Sequence, residues 1–209
     1  MSAEDRRSKA EARCEAQRQR ILRAARRCFV DSGFHAASMA SIAETADMSA
    51  GLIYRYFESK NAIMLAIIQQ HLDEVQADIQ RLRAGKEAVA SHIMERFVGW
   101  QRNQSASLEP GLFLEIVALA TRDPQVADAL MAADRRIHAE LGDWLRRAWQ
   151  AADRPLAQAE VAERVFVLRC FIEGLIVRAI KQPDAGSELL RASLERLLAH
   201  VLPVARANP

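Results

Sequence analysis

Apolar residues recur along this chain at steps of three and four, the spacing that puts one greasy stripe on an α-helix. The first strong stripe is Ile21, Leu22, Ala25, Cys28 and Phe29, with the intervening arginines turned away. It predicts a helix ending near Asp31, stopped by Gly33, which can take the left-handed conformation after a helix C-terminus. Ser38 then offers an N-cap, and Met39, Ile42, Ala43 and Ala46 supply the inward face of a two-turn helix ending before Asp47. Ser49 can cap another short helix, in which Leu52, Ile53 and Phe57 are apolar while Tyr54, Arg55 and Tyr56 are long and polar-tipped. Two short capped helices joined by a tight turn make a helix-turn-helix candidate over 38–57.

Ser59 caps a fourth predicted helix, about 59–84, whose stripe runs Met64, Ile68, Leu72, Val75, Ile79, Leu82 before Gly85. At 1.5 Å per residue it spans about 35 Å, long enough to connect an N-terminal domain, residues 1–60, to a C-terminal one, residues 61–209. Breaks at Asn103–Pro110, Asp123-Pro124, Ala152–Pro155 and Pro183–Gly186 leave room for five more helices. The expected fold is all-α with about nine helices. Segment 161–180 is apolar at Val161, Val165, Leu168, Ile172, Leu175 and Ala179, yet Val167, Phe171 and Ile176 make a second face apolar too. The last helix, with Leu190, Leu194, Leu197 and Val201, is similarly over-supplied. Two readings follow: pairing of these helices across a two-fold axis into a four-helix dimer interface, using Val161, Val165, Leu168, Ile172, Leu175, Leu190, Leu194, Leu197 and Val201, or a pair of central core helices in a monomer. The dimer is the preferred expectation.

Composition narrows the function classes. Of 209 residues half are hydrophobic, with eight Gly and six Pro, which suits a helical globular chain. No apolar run reaches the ~18 residues of a membrane span, and the charged opening lacks a signal peptide's apolar stretch, so a cytoplasmic protein without a membrane partner is expected. Cys14, Cys28 and Cys170 are scattered, without C-x-x-C spacing, and read as reduced thiols. No metal, cofactor or catalytic residue is expected: Glu115, His138, Glu140 and Glu173 form no Glu-x-x-His pair, and neither a phosphate-cradling Gly-rich loop nor a nucleophile motif occurs. The net charge of +2 conceals an asymmetry, because residues 1–27 hold nine Arg or Lys against four Asp or Glu. A basic segment running into a helix suits phosphate contact, and equally a solvated tail.

The candidate chemistry of the helix-turn-helix fits DNA. Small residues Ser49, Ala50 and Gly51 at the start of the second helix let backbone approach a major groove. Arg55 can read guanine O6 and N7, and Tyr54 and Tyr56 can reach phosphates, sugars or thymine methyls. The serines would cap helices in any helical protein, and Arg55 alone could be an ordinary surface arginine. Their joint occurrence favours the DNA reading.

The segment S-M-A-S-I-A-E-T-A-D-M-S-A-G-L-I-Y-R-Y-F-E-S-K-N-A-I from Ser38, preceded by A-A-R-x-x-F-x-x-x-G-F, resembles the DNA-binding signature of the TetR family. The resemblance covers roughly 45 residues, and the rest of the chain matches in helical layout and length. It implies a regulator, by family habit a repressor, that binds a palindromic double-stranded DNA operator as a homodimer and is released by a small-molecule inducer. It also implies that Lys60 grips phosphate, that Ser38 and Ser41 touch the DNA backbone, and that Ala40 faces outward near the bases. Two positions depart from the pattern: Asp47 stands at a turn position commonly Gly, and Asn61 stands where Glu is usual. Pocket candidates are Phe97, Trp100, Phe113, His138 and Trp144, each of which could instead be core, and their apolar surroundings favour a hydrophobic or amphipathic inducer. The competing reading is a helical small-molecule-binding protein without operator-specific DNA binding.

Overall fold

A computed structural model describes residues 3–82, 86–102, 109–184 and 186–203. Among them the chain forms nine α-helices and no strand: α1 (Ala3–Ala36), α2 (Met39–Thr45), α3 (Ala50–Tyr54), α4 (Lys60–Arg81), α5 (Lys86–Gln101), α6 (Pro110–Ala120), α7 (Pro124–Ala151), α8 (Gln158–Lys181) and α9 (Ser187–Val201). The all-α expectation holds. The breaks expected at Asp123-Pro124, Ala152–Pro155 and Pro183–Gly186 are where α7, α8 and α9 are delimited, whereas Gly85 and 103–108 lie outside the described residues. No helix among the described residues is long and apolar enough to cross a membrane.

The chain divides into two compact units, one of Met1–Gln70 with Leu114–Leu130, the other of His71–Phe113 with Met131–Pro209. The division expected after residue 60 therefore falls ten residues later, inside α4, and a second segment joins the N-terminal unit. The reason is burial: Ile63, Met64, Ile67 and Ile68 of early α4, and Ile116, Leu119 and Val126 of the second segment, are buried with Ile21, Ala25, Phe29, Phe34, Ile42 and Ile53 belonging to the same unit.

Helix α1 begins at Ala3, well before the stripe that betrayed it. Residues 5–16 are exposed, so no apolar period marks them; their helicity rests on good helix formers and on i,i+4 pairs such as Arg7–Glu11 (2.9 Å) and Gln19–Glu15 (2.7 Å). The stop is Gly33, at φ 78°, ψ 159°, after which one more turn forms.

In the second unit Phe97, Leu112, Leu145, Val165, Leu194, Leu198 and Val201 are the deepest core. Trp149 donates its indole N–H to Val201 O (2.9 Å), tying α7 to the end of α9, and is flanked by the guanidinium groups of Arg154 and Arg164. Helix α8 carries most of the residues of the expected interface. Val161, Val165, Leu168 and Leu175 are buried within a single chain, as are Leu190, Leu194 and Val201 of α9, while Ile172 and Leu197 are half-buried. The exposed large apolar residues of α8 and α9 are Phe166 (66% exposed), Val177, Ile180 and Leu189 (73%), and Cys170 and Gly174 of α8 are exposed as well. Both faces of α8 are apolar, and the stripe richer in Leu and Val went to the core.

Candidate nucleic-acid interface and effector unit

Helix α2 starts on a reciprocal cap. Ser38 Oγ accepts the Ser41 N–H (3.0 Å), and Ser41 Oγ accepts the Ser38 N–H (2.9 Å), which satisfies donors that a helix start leaves orphaned. Its end is a Schellman turn: the Asp47 N–H reaches Glu44 O and the Met48 N–H reaches Ala43 O, both at 2.9 Å, with Asp47 itself at φ 50°. Asp is among the few non-glycine residues that tolerate this region. Its position is reinforced from α1, because Arg20 donates to both Asp47 O (3.1 Å) and Asp47 Oδ2 (3.0 Å). The departure from glycine thus comes with its own partner. Ser49 Oγ then accepts the Leu52 N–H (3.3 Å) to open α3.

These caps leave a continuous outward surface. Ser38, Ala40, Ser49, Ala50, Gly51, Tyr54 and Arg55 are exposed, with Ser41 and Tyr56 half-buried. Ile53 and Phe57 turn inward, and Arg18 of α1 lies over the Phe57 ring at 4.4 Å. A Cβ placed on Gly51 would meet nothing within 4 Å, so the surface at this turn is open.

Lys60 is the residue whose surroundings differ most from its expected use. Its ammonium donates to Phe34 O (2.6 Å), Ala37 O (2.6 Å) and His35 O (3.2 Å), and sits 4.6 Å from the Phe34 ring centroid. A lysine has three N–H donors, and here all three end on the carbonyls that close α1. Burial holds its pKa below the usual lysine range. In this structure Lys60 is a clasp between α1 and α4.

Two further ties, not foreseen from sequence, belong to the same unit. Glu115 accepts the Phe34 N–H (3.1 Å) directly after the Gly33 break. Asn61 donates to Asp123 Oδ2 (2.6 Å), while Asp123 Oδ1 caps α7 by accepting the N–H groups of Gln125 (2.9 Å) and Val126 (3.1 Å). The Val126 hydrogen bond, outweighing partial desolvation and aided by Asn61 and Gln125, holds the Asp123 carboxyl below the usual range. A Glu at 61, the usual family residue, would set two carboxylates against each other here.

Similarity to known proteins bears directly on this surface. The family model described as bacterial regulatory proteins, tetR family, matches residues 21–67. The HTH-type transcriptional regulator UidR of Escherichia coli K12 is 34% identical over 136 residues, 65% of this chain and 68% of that protein. The chain belongs to the TetR family. It is a DNA-binding transcriptional regulator, and α2 and α3 are its helix-turn-helix. Salmonella enterica GusR superposes with a TM-score of 0.69 at 28% identity, covering 88% of this chain and 95% of that one. Bacillus subtilis FadR, solved in complex with stearoyl-CoA, shares the fold with a TM-score of 0.67 at 17% identity, covering 88% and 98%.

The expected pocket residues all lie in the second unit, where their surroundings differ. Phe97 and Trp144 are core, the Trp144 indole N–H donating to Leu82 O (3.2 Å). Phe113 and His138 are half-buried. Trp100 is buried, and its Nε1 has no hydrogen-bond partner. Sequence reasoning did not find the polar pairings of this unit. Gln76 of α4 donates to Glu140 Oε1 of α7, while Glu140 Oε2 is buried without a partner. Asp78 of α4 receives Arg96 (2.5 Å) and lies 3.3 Å from His92 Nε2, both on α5, with Arg81 3.4 Å away. Burial raises the Asp78 pKa, but the imidazole of His92 beside it and the guanidinium groups of Arg96 and Arg81 outweigh it, leaving the carboxyl below its usual range. The i, i+4, i+8 spacing of His92, Arg96 and Trp100 was the available signal; its partner on α4 was not.

Proposed function

We propose that this regulator is a cytoplasmic repressor that binds a palindromic operator as a homodimer and releases it when a small molecule occupies its second unit. The observation that carries the DNA half is the exposed set Ala40, Ala50, Gly51, Tyr54 and Arg55 on one capped surface, with the Arg55 side chain making no hydrogen bond or ion pair among the described residues. An unengaged arginine beside small residues is suited to bidentate contact with a guanine edge. Ser38, Ser41, Ser49 and Tyr56 serve the backbone side of the same surface. Lys60 acts through position: it fixes the α1 end against α4, and phosphate contact would require it to give up a carbonyl.

The dimer reading rests on the uncovered stripe Phe166, Cys170, Gly174, Val177 and Ile180 of α8 with Leu189 of α9. A run of exposed apolar residues on one helix is suited to burial against a partner, and a Cβ on Gly174 would meet nothing within 4 Å in its own chain. Two recognition surfaces in a dimer must match about one DNA turn, roughly 34–36 Å, or a multiple. The role is regulatory rather than catalytic, as in its relatives. FadR, a fold relative, holds an acyl-CoA, and a small-molecule inducer is proposed here by analogy of fold. Gel mobility shift with DNA flanking the chain's own gene tests the reading: a retarded complex displaced by unlabelled specific DNA supports it, and equal displacement by random DNA contradicts it.

A further inference from the structure

The three tryptophans of the second unit are nearly equally buried, at 7% exposure for Trp100, 5% for Trp144 and 6% for Trp149. Two of them give their indole N–H to a backbone carbonyl, Trp144 to Leu82 and Trp149 to Val201. Trp100 Nε1 has no acceptor. A buried N–H is normally paired, because desolvating it without a partner is expensive. Its position explains what it lacks. His92, Arg96 and Trp100 lie on one stripe of α5, each one turn from the next. The single carboxylate of Asp78 takes Arg96 at 2.5 Å and lies 3.3 Å from His92, and the Arg96 guanidinium carbon lies 5.6 Å from the Trp100 ring centroid. His71 and Glu74 continue the Asp78 face of α4 and have interactions of their own. The stripe thus ends in a guanidinium over the Trp100 ring and an indole N–H without an acceptor.

We propose that this end of the stripe recognises the carboxylate of a small organic acid, which bridges Arg96 and the Trp100 indole N–H and competes with Asp78 for Arg96. A carboxylate has two oxygens and room for several donors, and arginine with a second donor is well suited to it. The inference deepens the effector-binding reading above and rests on it: the expected amphipathic inducer becomes an amphipathic acid. Because Asp78 belongs to α4, displacing it from Arg96 loosens the tie between α4 and α5, so a ligand acts only by favouring that looser arrangement.

The test needs only a fragment of the ligand. The full-length protein, labelled with ¹⁵N at its indole nitrogens, is titrated with acetate and separately with phenylacetate, using chloride at matched ionic strength and acetamide as controls; tryptophan-to-phenylalanine variants assign the three signals. Both acids are expected to shift the Trp100 signal saturably while Trp144 and Trp149 stay in place. Arg96→Gln should abolish the shift, and Asp78→Asn should tighten acetate about tenfold by removing its internal competitor, the effect of one charge-assisted hydrogen bond. A stationary Trp100 signal, an equal response to chloride or acetamide, or an unaltered titration in a folded Arg96→Gln protein would overturn the proposal. Operator binding is measured on the same samples without acid. Its loss with the Trp100 response intact would overturn the regulator reading alone, and a silent Trp100 with intact operator binding would overturn the acid site alone.

Discussion

The two units spend their polar groups differently. In the N-terminal unit most polar groups around the helix-turn-helix have partners: Lys60 has three carbonyls, Glu115 the Phe34 N–H, Asn61 has Asp123, Arg20 the Asp47 turn, and the serines the helix starts, while Gln17 Oε1 is buried without one and Arg55 is left for a partner outside the chain. In the second unit Trp100 Nε1 and Glu140 Oε2 are buried without partners, and Phe166 and Leu189 are left bare on the surface. A surface that reads DNA must be held rigid to sub-ångström tolerance. The helix-turn-helix lies in the first unit, and the unpartnered groups of the second suit the sensing role proposed for it above.

The largest effect is expected from the two faces of α8. Leu175→Glu should cost about 3–5 kcal/mol, because it buries an uncompensated charge, and the chain should lose its cooperative thermal transition. Phe166→Glu should leave that transition in place and shift sedimentation from dimer to monomer. A Phe166→Glu protein that remains dimeric would show that the bare stripe serves another purpose.

On the matched side, Lys60→Met should destabilise the protein by about 2–3 kcal/mol in urea unfolding, the order expected when a charge-assisted set of hydrogen bonds is lost and carbonyls are orphaned. Operator affinity should fall alike for all sequences. An unchanged unfolding midpoint would mean that Lys60 is free for phosphate and does not clasp α1.

A smaller effect should follow pH. The Asp123 carboxyl, held low by its hydrogen bonds, contributes stability that is fully present above the unfolded-state carboxylate pKa and is lost as pH falls through its depressed folded value. Asn61→Glu replaces a donor with a second carboxylate, so the variant should melt below the parent near neutral pH. That gap should close as acid protonates the pair. Melting curves across this range decide it, and a gap that widens on acidification would contradict the tie.

Local signals carried most of the DNA-binding unit. Ser38, Ser49 and Gly33 do their work within a few residues of themselves, so caps and stops could be placed from sequence. The exposed start of α1 was illegible because it buries nothing and leaves no period. The phosphate role of Lys60 follows from the family resemblance, and nothing in its neighbourhood names Phe34, His35 and Ala37 as its acceptors; those carbonyls lie more than twenty residues away. The core and outer stripes of α8 could not be ranked from sequence, since both are apolar and only the packing of α5 and α9 selects between them. The Asp78 seam was hidden for the same reason: its meaning depends on which helix lies opposite.

The central claim is that the α3 surface reads DNA through Arg55. Fluorescence anisotropy with labelled DNA from the region flanking its own gene, at fixed salt, compares the parent with Arg55→Ala. The variant is expected to keep its fold, lose about 1–3 kcal/mol of operator binding and tolerate more substitutions at one base pair. An Arg55→Ala protein that binds the operator as tightly and as selectively as the parent would contradict the account.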